Sequence, residues 1–266
     1  MLTEVSVPRD LAAAARLLAS GGTVLAGGTI LMPWLNDSAS EPTALVSLRK
    51  AGLAHVRVDG TRATLGAATT LAQLEGDARF GFLAPVVRSI ASVPVRTLAT
   101  VGGNLFARQP YGDLAVALVA LGATATVIDQ DATREVPVGD LVAGTGPAGL
   151  VTAVTFEVPA DGTFRYLKAA RRRYNSASIV TVAATVTESD GVVTTARVAL
   201  GGVGPHVLRA RAVEAALAGR PLDEPTVAAA AEAGLAEIAP ADDAYASAWY
   251  RRRVFPVHLR RALLGH

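Results

Sequence analysis

Ala99-Thr100-Val101-Gly102-Gly103-Asn104-Leu105 is the stretch of this 266-residue chain from which the fold is read. Its paired glycines let the backbone bend closely under a flat or charged group, because neither carries a Cβ. Thr100 and Asn104 add a hydroxyl and an amide able to bond a phosphate, a ribitol or a ring edge. Arg96 stands four residues before Thr100, in reach to brace the loop. The competing reading is a tight turn with an asparagine cap. Upstream, Leu25-Ala26-Gly27-Gly28-Thr29 offers the same device at a strand-to-helix junction. It reads as a pyrophosphate cradle or as an ordinary turn. Two such turns together suggest a nucleotide cofactor held from two sides. Neither is Gly-x-Gly-x-x-Gly, and no Gly-x-x-x-x-Gly-Lys-Ser/Thr occurs, which argues against a doubly wound dinucleotide fold and a P-loop.

Downstream, Pro110-Tyr111-Gly112-Asp113 precedes an apolar helix. Asp113 either caps that helix or accepts from a sugar hydroxyl. Lys168 lies between apolar runs and is followed by Arg171-Arg172-Arg173. It either touches the ligand or sits on a solvated strand edge. The arginines face a partner or pair with Asp242-Asp243. No Gly-x-Ser-x-Gly elbow and no Ser-His-Asp order marks a hydrolase.

Periodicity predicts strands near 2–7, 23–26, 44–48, 55–58, 62–67, 123–129 and 150–159. Helices are expected after the Asp10 cap, over 30–35, after the Thr70 cap, over 80–92 and over 113–121. Ala160-Asp161-Gly162-Thr163 is the expected boundary between a domain of residues 1–160, with parts about 1–50 and 51–160, and a domain of residues 161–266. The second domain reads as three antiparallel strands, 164–169, 178–187 and 192–201, then helices near 207–218, 224–236 and 242–263. Sheet followed by helices is an α+β pattern.

Composition is that of a core-forming globular chain, 51% hydrophobic and 18% charged. With 25 basic against 23 acidic residues, and no stacking aromatics beside the arginine clusters, nucleic-acid binding is not indicated. The absence of cysteine excludes disulfides, a thiolate nucleophile and cysteine-held iron–sulfur clusters. The four histidines form no metal signature, no membrane span is apparent, and a cytoplasmic location is the default expectation.

These segments resemble the flavin-binding medium subunit of the molybdenum hydroxylases, the xanthine dehydrogenase and aerobic carbon monoxide dehydrogenase families. Leu25-Ala26-Gly27-Gly28-Thr29 resembles the first flavin-pyrophosphate loop. Leu65-Gly66-Ala67-Ala68-Thr69-Thr70 resembles the strand and turn that follow, and Arg96 with residues 99–104 resembles the second loop. Asp113 falls where the family has a ribityl-contacting aspartate. Tyr166-Leu167-Lys168 resembles the strand whose lysine approaches the flavin, and residues 199–205 resemble the family's Gly-Gly turn. Residues 246–251 and 260–263 resemble its closing helix. Ile30 departs from an acidic residue usual at its position, and Ile90 stands where the family has an aromatic or small residue.

The resemblance implies a two-part vanillyl-alcohol-oxidase-type (PCMH) FAD-binding domain followed by a small α+β domain, with a three-stranded antiparallel sheet and a helical bundle. FAD, bound noncovalently, would meet Leu25, Ala26, Gly27, Gly28, Thr29, Ile30, Ile90, Thr100, Val101, Gly102, Gly103, Asn104, Asp113, Val154 and Lys168. Asp113 would orient the sugar, and Lys168 would stabilise negative charge on the reduced ring. The implied partners are a large molybdopterin subunit and a small [2Fe-2S] subunit, in a dimer of heterotrimers. Electrons would then pass from iron–sulfur clusters through FAD to an external acceptor, with no side-chain acid or base on this chain. Two alternatives stay open: a stand-alone flavin oxidoreductase of the same fold, and a non-enzymatic interaction subunit that has lost FAD.

Overall fold

The computed structural model describes residues 2, 4–37, 44–129, 132–172 and 175–265. Arg173, the last of the arginine triplet, and His266 lie outside them. Three sheets organise the chain. The first holds β1 (Glu4–Ser6), β2 (Thr23–Leu25) and β3 (Ala44–Ser47), all parallel, in the order β1-β3-β2. The crossover from β1 to β2 is the Leu11–Ala19 helix, started by Asp10, whose carboxylate accepts from Ala13 N at 2.7 Å.

The second sheet holds β4 (Val56–Asp59), β5 (Arg62–Gly66), β6 (Thr124–Ile128), β7 (Thr133–Pro137) and β8 (Leu150–Glu157). It is antiparallel, in the order β4-β5-β8-β6-β7. Val154 on β8 sits between Leu65 and Ala125 in register and is wholly buried. The third sheet holds β9 (Phe164–Ala170), β10 (Ser178–Ser189), β11 (Val192–Gly201) and β12 (Leu208–Arg209), antiparallel in the order β12-β11-β10-β9. The three expected strands are present; the fourth, of two residues, is too short to leave a periodic signal.

A central helix, Asp113–Ala120, joins the second and third sheets. All eight of its residues are buried. Its sequence, Asp-Leu-Ala-Val-Ala-Leu-Val-Ala, has no polar stripe beyond its first residue, which suits a helix enclosed on every side. One core runs from Leu65 and Phe156 through this helix to Ala183 and Ala199 of the third sheet. A second lies on that sheet's other face, under helices Arg211–Leu217, Glu224–Gly234 and Ala248–Leu264.

Three helical expectations are corrected. The segment 80–92 is not one helix: a 3-10 stretch, Ala78–Leu83, meets the helix Ala84–Ser89. Pro85 fits only a first turn, since its ring and missing N–H break a helix interior. The helix expected from 207 starts at Arg211, because residues 208–209 pair with β11. The last helix starts at Ala248 rather than near 242. Asp243 holds the preceding segment by accepting from the N–H groups of Tyr245 and Ala246, at 2.8 and 3.0 Å. No described helix is long and apolar enough to cross a membrane.

Candidate functional site

The two glycine stretches, distant in sequence, touch in space. A Cβ on Gly27 would collide with the carbonyl oxygen of Leu98, so no residue with a side chain fits there. A Cβ on Gly103 would stand 4.0 Å from that of Ala26. The close approach of the first loop to the residues just before the second makes the pair one surface.

The second stretch is not a turn. Val101–Leu105 forms a short helical segment, and Thr100 is its N-cap, accepting from Gly103 N at 3.1 Å. Val101 N and Gly102 N donate to the carbonyls of Thr69 and Ala67, at 2.9 and 2.8 Å. These bonds pin the segment to the end of β5. They also occupy two N–H groups that a phosphate-binding reading of this stretch would need free. The first stretch keeps its own: the N–H groups of Ala26 to Ile30 have no acceptor among the described residues. Beside them, Asn104 Oδ1 is buried and has no hydrogen-bond partner. Buried acceptors without partners are uncommon and mark where a donor is missing.

Arg96 braces the surface from behind. Its guanidinium is buried and donates to Glu75 at 2.9 Å and to the carbonyls of Ile90 and Ala91 at 3.1 and 3.3 Å. Ala91 has φ +46°, a left-handed conformation that needs such support in a non-glycine residue. Ile90 thereby ends the Ala84–Ser89 helix at a fixed position, largely buried.

Residues 109–113 fasten the second half of the chain. Gln109 Oε1 accepts from Gly202 N at 2.6 Å, and Pro110 O accepts from Ser178 N at 3.2 Å. Tyr111 and Tyr245 share a 2.5 Å hydroxyl contact with rings nearly perpendicular. The Tyr245 hydroxyl bond, then burial and nearby negative charge, push the Tyr111 phenol up to about 12. Asp113 does not cap its helix; that place is taken by Gly112. Its buried carboxylate accepts from Lys168 Nζ (2.8 Å), Ser178 Oγ (2.8 Å) and Thr181 Oγ1 (2.7 Å).

Ser178 and Thr181 are three apart on β10 and would face opposite ways in a regular strand. A register shift against β9 between Ser178 and Val180 leaves Ile179 as an extra residue and turns both hydroxyls to one side. Lys168 pairs in register with Thr181 and so reaches the same point. It also donates to Ser89 O at 2.9 Å. β9 is an edge strand, yet Lys168 is a buried, ion-paired residue rather than a solvated one. Tyr166, one strand turn away, bonds Ser89 Oγ at 2.8 Å; burial and the nearby Asp113 carboxylate raise its phenol well above the usual value.

Of the expected site residues, Leu25 to Ile30, Thr100, Gly102, Gly103 and Asn104 converge on the paired stretches. Asp113, Lys168 and Ile90 are gathered around Ser89 and the start of the central helix. Val101 turns its side chain into the core. Val154 is a correction: buried completely between two neighbouring strands, it has no surface to offer a ligand. Of the arginine triplet, Arg171 donates to Ala244 O at 3.4 Å, and Arg173 lies outside the described residues. Arg251, almost fully buried, takes Asp243 at 2.7 Å and donates to the carbonyls of Ser178, Ile179 and Gly202. Sequence reading missed Gln109, Ser178, Thr181, Tyr245 and Arg251. The hydroxyls of Ser178 and Thr181, two of three within the apolar run Ser178–Val186, were the available signal. No cluster of three or more metal-ligating side chains occurs among the described residues.

Comparison with known proteins places this geometry. Residues 2–160 match the family "FAD binding domain in molybdopterin dehydrogenase", and residues 165–265 match "CO dehydrogenase flavoprotein C-terminal domain". The chain is 31% identical to the carbon monoxide dehydrogenase medium chain of Afipia carboxidovorans, covering 96% of this chain and 93% of that one. It is 30% identical to subunit alpha of the 6-hydroxypseudooxynicotine dehydrogenase complex of Paenarthrobacter nicotinovorans, covering 94% and 89%. Among solved structures, carbon monoxide dehydrogenase of Hydrogenophaga pseudoflava superposes with a TM-score of 0.92 at 27% identity, covering 99% of this chain and 96% of that chain. Quinoline 2-oxidoreductase of Pseudomonas putida 86 gives 0.89 at 26% identity, covering 100% and 96%. The two-domain α+β fold, the paired glycine stretches and these full-length matches together establish that the chain belongs to the FAD-binding medium subunits of the molybdenum hydroxylase family.

Proposed function

We propose that this chain binds FAD noncovalently across the two glycine stretches and relays electrons within a molybdenum hydroxylase complex. The carrying observation is the row of acceptor-less N–H groups from Ala26 to Ile30 beside the orphaned buried Asn104 Oδ1. Those groups fit the cofactor: backbone N–H groups suit a pyrophosphate, and an amide oxygen suits a ribityl hydroxyl. Thr29 and Thr100 supply hydroxyls at the same surface. FAD, when bound, supplies the redox chemistry, accepting and releasing electrons singly or in pairs.

The chain's own residues position and tune. Asp113, held by Ser178 and Thr181, fixes Lys168, which keeps one N–H beyond its bonds to Asp113 and Ser89 for the ring. Ile30, Leu98 and Phe106, on or next to the two stretches, are exposed apolar side chains. The absence of cysteine is consistent with a noncovalent cofactor, and in this reading the iron–sulfur clusters belong to another chain. The partners in this reading are a large molybdopterin subunit and a small [2Fe-2S] subunit, in a cytoplasmic dimer of heterotrimers delivering electrons to an external acceptor. The boundary between the two domains is placed at residues 160–161.

Purification of the chain alone and with its partners tests the reading. The chain should take up one FAD and oxidise no small molecule alone, while the complex should contain flavin, iron, sulfide and molybdenum. A chain that cannot be reconstituted with FAD, or one that turns over unaided, overturns it.

A further inference from the structure

The far end of the central helix opens on a second feature. A cleft of about 890 Å³ lies between the two halves, lined from β5, β8, β10, β11, β12 and the Arg211–Leu217 helix. It is remote from the glycine stretches. The helix runs from Asp113, beside Lys168 and Ser178, to Ala120 at the cleft wall, about 12 Å for eight residues. The volume is in the range of small-molecule sites.

Its lining is cationic. Arg62, Arg197, Arg209 and Arg211 face Glu157 and Glu214, so four positive charges meet two negative ones, a net of +2. Arg209 is satisfied by a two-pronged bond to Glu214, with distances of 2.9 to 3.2 Å. Arg62 stands opposite Glu157 in register, but the Glu157 carboxylate accepts from Thr61 at 2.7 Å and forms no ion pair with Arg62 among the described residues.

Arg197 is the telling residue. Its guanidinium lies directly over Gly122, where any Cβ would collide with it. It is half-buried, yet has no hydrogen bond or ion pair among the described residues. Burial, then the charges of Arg209 and Arg211, lower its affinity for the proton against the opposing pull of Glu214. Its cross-strand partner on β10 is Thr185, whose side chain shares that face. The Thr185 hydroxyl is buried and also has no partner. An unpaired, partly desolvated cation beside two others, next to an unpaired hydroxyl, is a costly arrangement unless an anion completes it.

We propose that this cleft binds a small multivalent phosphate anion, held by Arg197, Arg211 and the Thr185 hydroxyl. The three holding groups belong to the second half, and Arg62 and Gly122 of the first half close the opposite wall of the cleft. The site differs from the glycine stretches in being built from guanidinium groups, which suit phosphate geometry.

Titration calorimetry and thermal unfolding of the FAD-saturated chain with inorganic pyrophosphate test this, with sodium chloride at matched ionic strength as control. Adenosine diphosphate forms a second arm that separates a free inorganic anion from a nucleotide. Saturable binding that raises the unfolding temperature is expected. Arg197→Gln and Arg211→Gln should each weaken it about tenfold or more, and Thr185→Val a few-fold. Binding that persists unchanged at saturating FAD separates this cleft from the cofactor surface. Without anion, Arg197→Gln should unfold at or above the wild-type temperature, since it relieves like-charge repulsion. If pyrophosphate acts only as ionic strength does, or binds both arginine variants like wild type, the proposal is overturned. The exposed Arg211 provides the answer even if the Arg197 variant folds poorly. Protection by an acidic peptide but by neither phosphate compound would assign the cleft to a protein partner and overturn it as well.

Discussion

Asp113→Ala should be among the most damaging single substitutions in the chain. The carboxylate it removes takes Lys168 at 2.8 Å, and both side chains are less than a tenth exposed. Removing one partner leaves the ammonium buried with only the Ser89 carbonyl, at a cost of about 3–5 kcal/mol. The two hydroxyls lose less, because Thr181 Oγ1 lies 2.8 Å from Ser178 Oγ and can turn its one hydrogen there once the carboxylate is gone. The unfolding temperature should fall by roughly 10 °C. Lys168→Met should cost less, about 2 kcal/mol, since Asp113 keeps two hydroxyl donors. The double variant holds no unpaired buried charge. Its cost should therefore fall short of the sum of the singles by at least about 1 kcal/mol. Calorimetry and circular dichroism on the four proteins, with and without FAD, provide the cycle. Strict additivity would refute the reasoning, because it would mean that the two charges share no energy.

Asn104→Leu should leave the FAD-free chain as stable as wild type or more so, since it deletes an unsatisfied buried acceptor, while FAD affinity falls about tenfold or more; equal affinity in a flavin fluorescence titration would remove Asn104 from the site. Gly27→Ala should force the first loop off Leu98 and weaken FAD binding while destabilising the chain by about 1–3 kcal/mol, read from the same titration and from urea unfolding. Lys168→Met should shift the flavin reduction potential downward or weaken FAD binding; spectroelectrochemistry showing neither change would sink its role at the ring. The Tyr111–Tyr245 contact should make stability fall in alkali. The folded phenol titrates near 12 and an unfolded one near 10, so the contribution is complete below pH 10 and is lost as pH rises through 12. Exposure keeps it below about 1 kcal/mol. Tyr245→Phe should flatten unfolding temperature against pH over that window.

Local chemistry made much of this legible from the chain. Asp10 and Thr70 cap helices as their types suggest, the latter in a capping box with Gln73. Glycine pairs marked the two stretches that meet in space, and an uninterrupted apolar run located the central helix. What escaped depends on partners far along the chain. Gly102 is helical because its N–H finds Ala67 O, which no local rule specifies. Whether Lys168 meets a ligand or solvent stayed open because its counter-ion is 55 positions away. A bulge at Ile179 is invisible to a period-two count, yet it decides that Ser178 and Thr181 act together. Val154 alternates correctly as a strand residue; the alternation does not say that both flanking strands and a helix cover it.

The central helix also bears on how long a bound cofactor stays. A helix with hydrocarbon on every side has no face that can be bared cheaply. Parting the halves would uncover Leu114, Val116, Leu118 and Val119, at about 1.5–3 kcal/mol each. Even the lower total confines such parting to roughly one molecule in ten thousand. Exchange of a bound cofactor would then depend on the small parallel sheet that carries the first glycine pair, and residence time should follow the stability of β1, β2 and β3 rather than of the seam between the halves.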